Sequence, residues 1–399
     1  MPNVSQRGHL APASPIRKLV PHADAAKARG VRVYHLNIGQ PDIETPEVMR
    51  RGLAEYHDTV IAYGPSGGDA PFRAMLRDYY ARLDVPLAEA DLLVTTGGSE
   101  AVLFALAACL DVGDEVLTPD PMYANYIGFS VMLGSRVVPI PTSVESGYHL
   151  PDDLERYVGP RTRAVLLCNP SNPTGVVYSE AEVRRVADLC VKRGLFLIAD
   201  EVYREFVYDG PVPRSVLTYP DLAECAVVVD SLSKRYSLCG ARIGCLVSRN
   251  REVMAAAMKF AQARLSPPSL AQVVGARAAL LDPNYFDGVK AEYRRRRDVV
   301  YESLAAMPGV VVHRPEGAFY QMARLPVADA EAFVVFMLDE FSLDGETTMV
   351  APGGGFYATP GAGTDEVRIA YVLNERDLAR SMKILRAGLE AYRAATARA

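Results

Sequence analysis

Between about residues 90 and 250, short β-branched runs alternate with longer stretches of helical periodicity, and no other feature restricts the fold as much. The runs are LLVTT, EVLTP, RAVLLC, LFLIAD, CAVVVD and ARIGCLVS. Strands that alternate with helix-length intervals predict an α/β fold, a mostly parallel sheet with helices on both faces. In such open sheets a ligand binds beyond the carboxyl ends of the strands. The residues that directly follow the runs are therefore the first candidates for chemistry.

A chain of 399 residues exceeds what one hydrophobic core normally serves, so two structural parts are expected. After about residue 285 the pattern changes to a charged helix (VKAEYRRRRDVVYESLAAM), short strand-like pieces around GAFYQMARL and EVRIAYVL, and a terminal helix ending near Ala399. The first forty or so residues have no sheet pattern of their own. We expect an N-terminal segment (1–45) packed on the smaller part, a large domain (46–285) and a smaller α+β domain (286–399). There is no internal repeat or flexible linker.

Composition removes several classes of function. The formal charge of −5, with Lys and Arg scattered rather than clustered, gives no field for a nucleic-acid backbone. Six cysteines without a C-x-x-C pair read as reduced core thiols, and no metal site is indicated. No signal-type start and no run of membrane-spanning length occur, so a cytoplasmic protein with no membrane contact is expected.

Four strand ends carry polar residues that packing alone would not select. Gly97, Gly98 and Ser99 follow LLVTT and open a helix through Glu100, where free N–H groups and the helix dipole favour an anion. Asn172 lies in NPSNPTG after RAVLLC, Asp200 ends LFLIAD ahead of Glu201 and Tyr203, and Ser231, Ser233 and Lys234 follow CAVVVD. Each has an ordinary reading: a Gly-Gly turn, a helix cap at Asp200, a tight turn at Asn172, a solvated Lys234. Those readings do not explain why all four lie at one edge of one sheet.

One ligand uses them together: pyridoxal phosphate, a pyridine with an aldehyde and a phosphate arm. A desolvated Lys234 amine would form a Schiff base with the aldehyde. Asp200 would keep the pyridine nitrogen protonated, and Asn172 and Tyr203 would donate hydrogen bonds to the ring oxygen. Ser231, the helix start at Gly98 to Glu100, and Arg242 with its planar fork of donors would hold the phosphate, with Ser233 beside them.

Through LNIGQPDIETP, YGPSGG, TTGGSEAV, NPSNPTG, DEVY, SLSKRYSLCGARIG and EVRIAYVLN, nearly the whole chain resembles the class I and II, fold type I aminotransferases of the aspartate aminotransferase kind. The resemblance implies Lys234 as Schiff-base lysine and proton shuttle, Asp200 at the pyridine nitrogen, Asn172 and Tyr203 at the ring oxygen, and Ser231 with Arg242 at the phosphate. It implies Arg368 as clamp for the substrate α-carboxylate, with Gly39 as a backbone contact and Asn172 close by. Tyr63 would reach the phosphate of a neighbouring subunit, which implies a homodimer with shared sites. Where such enzymes often stack an indole on the ring this chain has Tyr123, and where many read T-G-W-R it reads Cys239, Gly240, Ala241, Arg242. From its own surroundings Arg368, mid-strand among apolar neighbours, calls for a carboxylate partner, either a substrate or a structural salt bridge.

The activity so implied is ping-pong transfer of an amino group from an L-amino acid, aspartate or one similar, to a 2-oxo acid such as 2-oxoglutarate. A dicarboxylic donor needs a second cation. Arg264, before the Pro-rich turn, is the candidate, with a phosphate-side or subunit-seam role as the other reading. A lyase or oxidase of the same fold is the alternative chemistry. A dinucleotide-binding dehydrogenase is disfavoured, since neither G-x-G-x-x-G after the early strand nor a Walker sequence is present.

Overall fold

The computed structural model describes residues 2–397. Its strands, in chain order, are β1 (Arg32–His35), β2 (Leu92–Thr95), β3 (Glu115–Asp120), β4 (Arg136–Pro141), β5 (Thr162–Cys168), β6 (Phe196–Asp200), β7 (Ala226–Ser231) and β8 (Gly244–Ser248), followed by β9 (Val311–Val312), β10 (Tyr320–Arg324), β11 (Glu346–Met349), β12 (Ala351–Pro352) and β13 (Glu366–Ala370).

Strands β2 to β8 form one seven-stranded sheet in the order β2-β8-β7-β6-β5-β3-β4. All are parallel except β8, which runs against both its neighbours. The central strands are apolar on both faces because helices cover both. The helices Gly97–Cys109 and Arg251–Arg264 bury Phe104, Leu106 and Ala257 on one face, and Glu180–Arg193 buries Val183 and Val186 on the other. The reversal of β8 matters for the site: Gly244 at its start stands opposite Ser231 and Thr95 at the ends of β7 and β2. Residues that precede β8, Arg242 included, therefore reach the edge where the parallel strands end.

The second core gathers β10, β13 and the helices Tyr285–Ala305, Ala330–Asp339 and Glu375–Thr396. Here β12-β13-β10-β9 form an antiparallel sheet, and β1 pairs in parallel with β11. Strand β1 departs from the expectation of no sheet pattern in the first forty residues; four residues of RVYH are too few to show a period. The pairing, with the His22–Asp339 contact at 2.8 Å, fastens the N-terminal segment to the second core. The expected end of the last helix near Ala399 lies outside the described residues. Among those described, no helix is long and apolar enough to cross a membrane.

Candidate active site

A cavity of about 480 Å³ opens at the edge of the large sheet where its parallel strands end. The ends of β6 and β7 contribute Asp200 and Ser231, the loop after β5 contributes Asn172, and the helix after β2 contributes Gly98 and Ser99. Lys234, Ser233, Arg242, Tyr123 and Tyr203 line it as well. Gly39 reaches it from the N-terminal segment, and Tyr320 and Arg368 from β10 and β13. Both halves of the chain thus build one cavity.

Asp200 is buried, accepting a 2.6 Å hydrogen bond from the hydroxyl of Tyr126 and one of 3.3 Å from the Val202 amide. Burial pushes its pKa up to about 6, against the pull of those two donors. The ionised carboxylate is short of positive partners, so a cation beside it would be stabilised and would restore the charged form. A protonated pyridine is such a cation.

Arg368 is 1% exposed, and no carboxylate faces it among the described residues. Its Nη1 donates to Asn172 Oδ1 at 2.9 Å and its Nη2 to the Asn37 carbonyl at 2.7 Å, while Nε has no partner. The guanidinium lies between the rings of Tyr320 and Phe356, at 4.5 and 4.6 Å. Burial lowers its pKa. Of the two readings of this arginine, the structural salt bridge has no partner here. The Tyr203 hydroxyl lies 2.9 Å from that of Tyr320 and accepts from Asn172 Nδ2 at 3.4 Å. A Cβ on Gly39 would stand 1.9 Å from the Tyr320 hydroxyl, so only glycine lets the backbone pass there.

On the opposite wall, the Ser231 hydroxyl donates and accepts locally, 2.9 Å from Ser233 Oγ and 3.0 Å from the Ile243 carbonyl. Arg242 adopts a left-handed backbone (φ 55°), and its Nη1 donates to the Cys239 carbonyl at 2.9 Å. Its other nitrogen occupies the space beside Gly97 (φ 73°), where a Cβ would stand 2.8 Å away. The amide-rich start of the 13-residue helix, two hydroxyls and a guanidinium thus converge, a set suited to phosphate.

Lys234 Nζ donates to the Gly39 carbonyl at 2.6 Å. Burial disfavours its ammonium form, but the phenol of Tyr320 and the thiol of Cys239 outweigh this, and the pKa is raised. Burial alone therefore does not ready a neutral amine, contrary to the simpler expectation.

Three candidates stand outside the cavity. The Glu100 carboxylate turns back to accept from its own Thr96 amide at 2.7 Å and lies 3.7 Å from Arg264, so only its backbone N–H is left for an anion. Arg264 also donates to the carbonyls of Ser66 and Val94. Tyr63 is 81% exposed on an outer loop. Conversely, sequence reasoning passed over Tyr126, Tyr320 and Arg17, all of which line the cavity. Nothing in their local sequence sets them apart; only the fold brings them there.

The profile of the family described as aminotransferase class I and II matches residues 31–385. A probable aspartate/prephenate aminotransferase of Aquifex aeolicus is 31% identical over 97% of this chain and 98% of its own. An aromatic-amino-acid aminotransferase of Thermococcus litoralis is 30% identical over 95% and 96%. Among solved structures, an alanine aminotransferase from Pyrococcus furiosus superposes with a TM-score of 0.88 at 26% identity, covering 98% of this chain and all of its own.

Proposed function

We propose, because this chain belongs to the class I and II aminotransferases, that its cavity holds pyridoxal phosphate beside the amino acid whose nitrogen it transfers. The chain is an aminotransferase of fold type I, an enzyme that moves amino groups between amino acids and 2-oxo acids. When bound, the cofactor supplies a carbonyl to take up the amino group and a cationic ring to draw electrons from the substrate.

The residues present fit it. Asp200 would hold the proton on the ring nitrogen, Asn172 and Tyr203 would serve the ring oxygen, and Tyr123 would stack on the ring. Ser231, Ser233, Arg242 and the helix start at Gly98 and Ser99 would hold the phosphate. Lys234 would bear the cofactor, and its Nζ would be the group to take and return a proton at the substrate Cα. Arg368, with the Gly39 backbone beside it, binds the α-carboxylate. The observation that carries this reading is Arg368 itself. A fully buried guanidinium with an unused Nε and no carboxylate partner among the described residues awaits an external anion.

For the donor we propose aspartate or a similar dicarboxylic acid, with 2-oxoglutarate or a related 2-oxo acid as acceptor, by a ping-pong course. The own-chain cation left for a distal carboxylate is Arg17, which lines the cavity with no side-chain partner among the described residues. Arg264, paired with Glu100, is assigned to the phosphate side or a subunit seam. The loop 57–63 exposes Val60, Ile61 and Tyr63, which supports a homodimer in which Tyr63 reaches the neighbouring site. Six unbridged cysteines support the cytoplasm as its compartment.

The test is a single turnover without acceptor. An aminotransferase releases one 2-oxo acid per chain and stops; a lyase continues, and an oxidase consumes oxygen. In steady state, Arg17→Ala should raise KM for aspartate by about 10-fold or more and spare alanine. Equal losses for both donors would remove Arg17 from substrate selection.

A further inference from the structure

Where the large sheet's helix layer meets the second core, His149, His313 and Glu316 form a cluster outside the cavity that amino transfer does not use. Each offers one donor atom, the three atoms lie within 4.8 Å of one another, and all three side chains are partly buried. We propose that these side chains form a binding site for a divalent zinc ion that ties the two halves of the chain together.

Several independent features support a site rather than a chance meeting. His149 Nδ1 lies 3.1 Å from both carboxylate oxygens of Glu182, so the ring donates there and keeps its lone pair on Nε2. A carboxylate behind a histidine is the usual support of a metal-bound imidazole, fixing its tautomer and orientation. Glu182 is itself fixed, accepting from the Ser179 amide at 2.9 Å and the Leu150 amide at 3.0 Å. The His313 ring has no hydrogen-bond partner among the described residues and packs against Gly147, where a Cβ would stand 2.8 to 3.1 Å from its atoms. Gly147 has φ 62°, so the turn that admits the ring is itself specified. Glu316 uses Oε2 to accept from the Val177 amide at 3.1 Å and keeps Oε1 free.

Two imidazole nitrogens and one carboxylate oxygen, with partial exposure leaving a place for water, match the three-ligand zinc pattern. Tetrahedral bonds of about 2.0–2.2 Å put ligand atoms about 3.4 Å apart, so rotation of the side chains must close the cluster by about 1.5 Å. The ion would clamp more than three residues. The amides of Glu316 and Gly317 donate to the Gly175 carbonyl at 3.0 and 2.9 Å, in the loop that carries Asn172, and the same segment leads into Tyr320 of β10. Zinc there would brace the cavity wall from behind without touching the reacting groups.

The measurement is calorimetric titration of metal-stripped holoenzyme with zinc chloride, without amino acid present, together with melting temperature. One ion per chain is expected, with a rise in melting temperature. Glu182→Gln should weaken binding by about 10- to 100-fold, and His313→Gln and His149→Gln by at least as much, abolishing the thermal rise. All variants should retain amino transfer in chelator. His313 makes no side-chain hydrogen bond among the described residues, so His313→Gln decides the matter even if His149→Gln misfolds. No binding, or unchanged affinity in His313→Gln, would overturn the site and leave an unmetallated contact between the halves.

Discussion

Asp200 keeps its proton up to about pH 6 in the folded chain, whereas an exposed aspartate loses it near 3.8. Between those values the folded state holds more protons than the unfolded one, so stability falls as pH rises through the window. At neutral pH the deficit is on the order of 3 kcal/mol for the cofactor-free protein. Denaturant midpoints measured from pH 4 to 7 should therefore drop more steeply for wild type than for Asp200→Asn. Parallel curves would show that the burial of this carboxyl is relieved some other way. The variant should also lose most of its kcat, since the ring nitrogen loses its anionic partner. At this scale the sequence was informative where a residue ends a strand, as Asp200 and Ser231 do, or lies in the turn just after one, as Asn172 does. It was silent about Tyr126, from a helix packed on the large sheet, and Tyr320, from a strand of the second core, which meet Asp200 and Tyr203 only through tertiary packing.

The element that presents Lys234 is a helix of four residues, Leu232–Arg235, too short to be stable on its own. Ser231 caps its start, and Arg235 anchors its end through Asp230 at 2.8 and 3.0 Å and Glu205 at 3.0 Å, with Tyr79 stacked 4.1 Å from the guanidinium. Arg235→Met would leave the buried Asp230 and the partly buried Glu205 without their shared cation. A loss of about 3–5 kcal/mol is expected in urea unfolding, together with a lower kcat as the lysine shifts. A stability change below about 1 kcal/mol would show that the anchor is dispensable. Elements were legible in the sequence in proportion to their burial. The central strands stood out as continuous apolar runs. Strand β4, RVVPIP, did not: it is one of the sheet's two outer strands and, unlike the fully buried β2 at the other edge, is only partly buried and contains two prolines, which an edge position tolerates. Strand β8 was visible as a run, yet its reversed direction leaves no trace in an apolar pattern.

At the scale of the whole molecule, the exposed loop with Val60, Ile61 and Tyr63 is expected to be covered in a symmetric dimer. Analytical ultracentrifugation should find two chains, and Tyr63→Ala should retain the dimer while weakening cofactor retention by about 10-fold or more. A monomer in solution would remove the shared-site arrangement. The cavity already has a comparable dependence within one chain, since its walls come from the N-terminal segment, the large sheet and β13. Synthesis runs from the N-terminus, and the large sheet is complete at Ser248, well before Arg368 is made. On the proposed assignments, a nascent chain on the ribosome would have Lys234 and the phosphate-side helix in place and still lack its grip on an amino acid. If Arg368 is the clamp, chains truncated before it are expected to show no turnover, so an interrupted product would be inert rather than unselective.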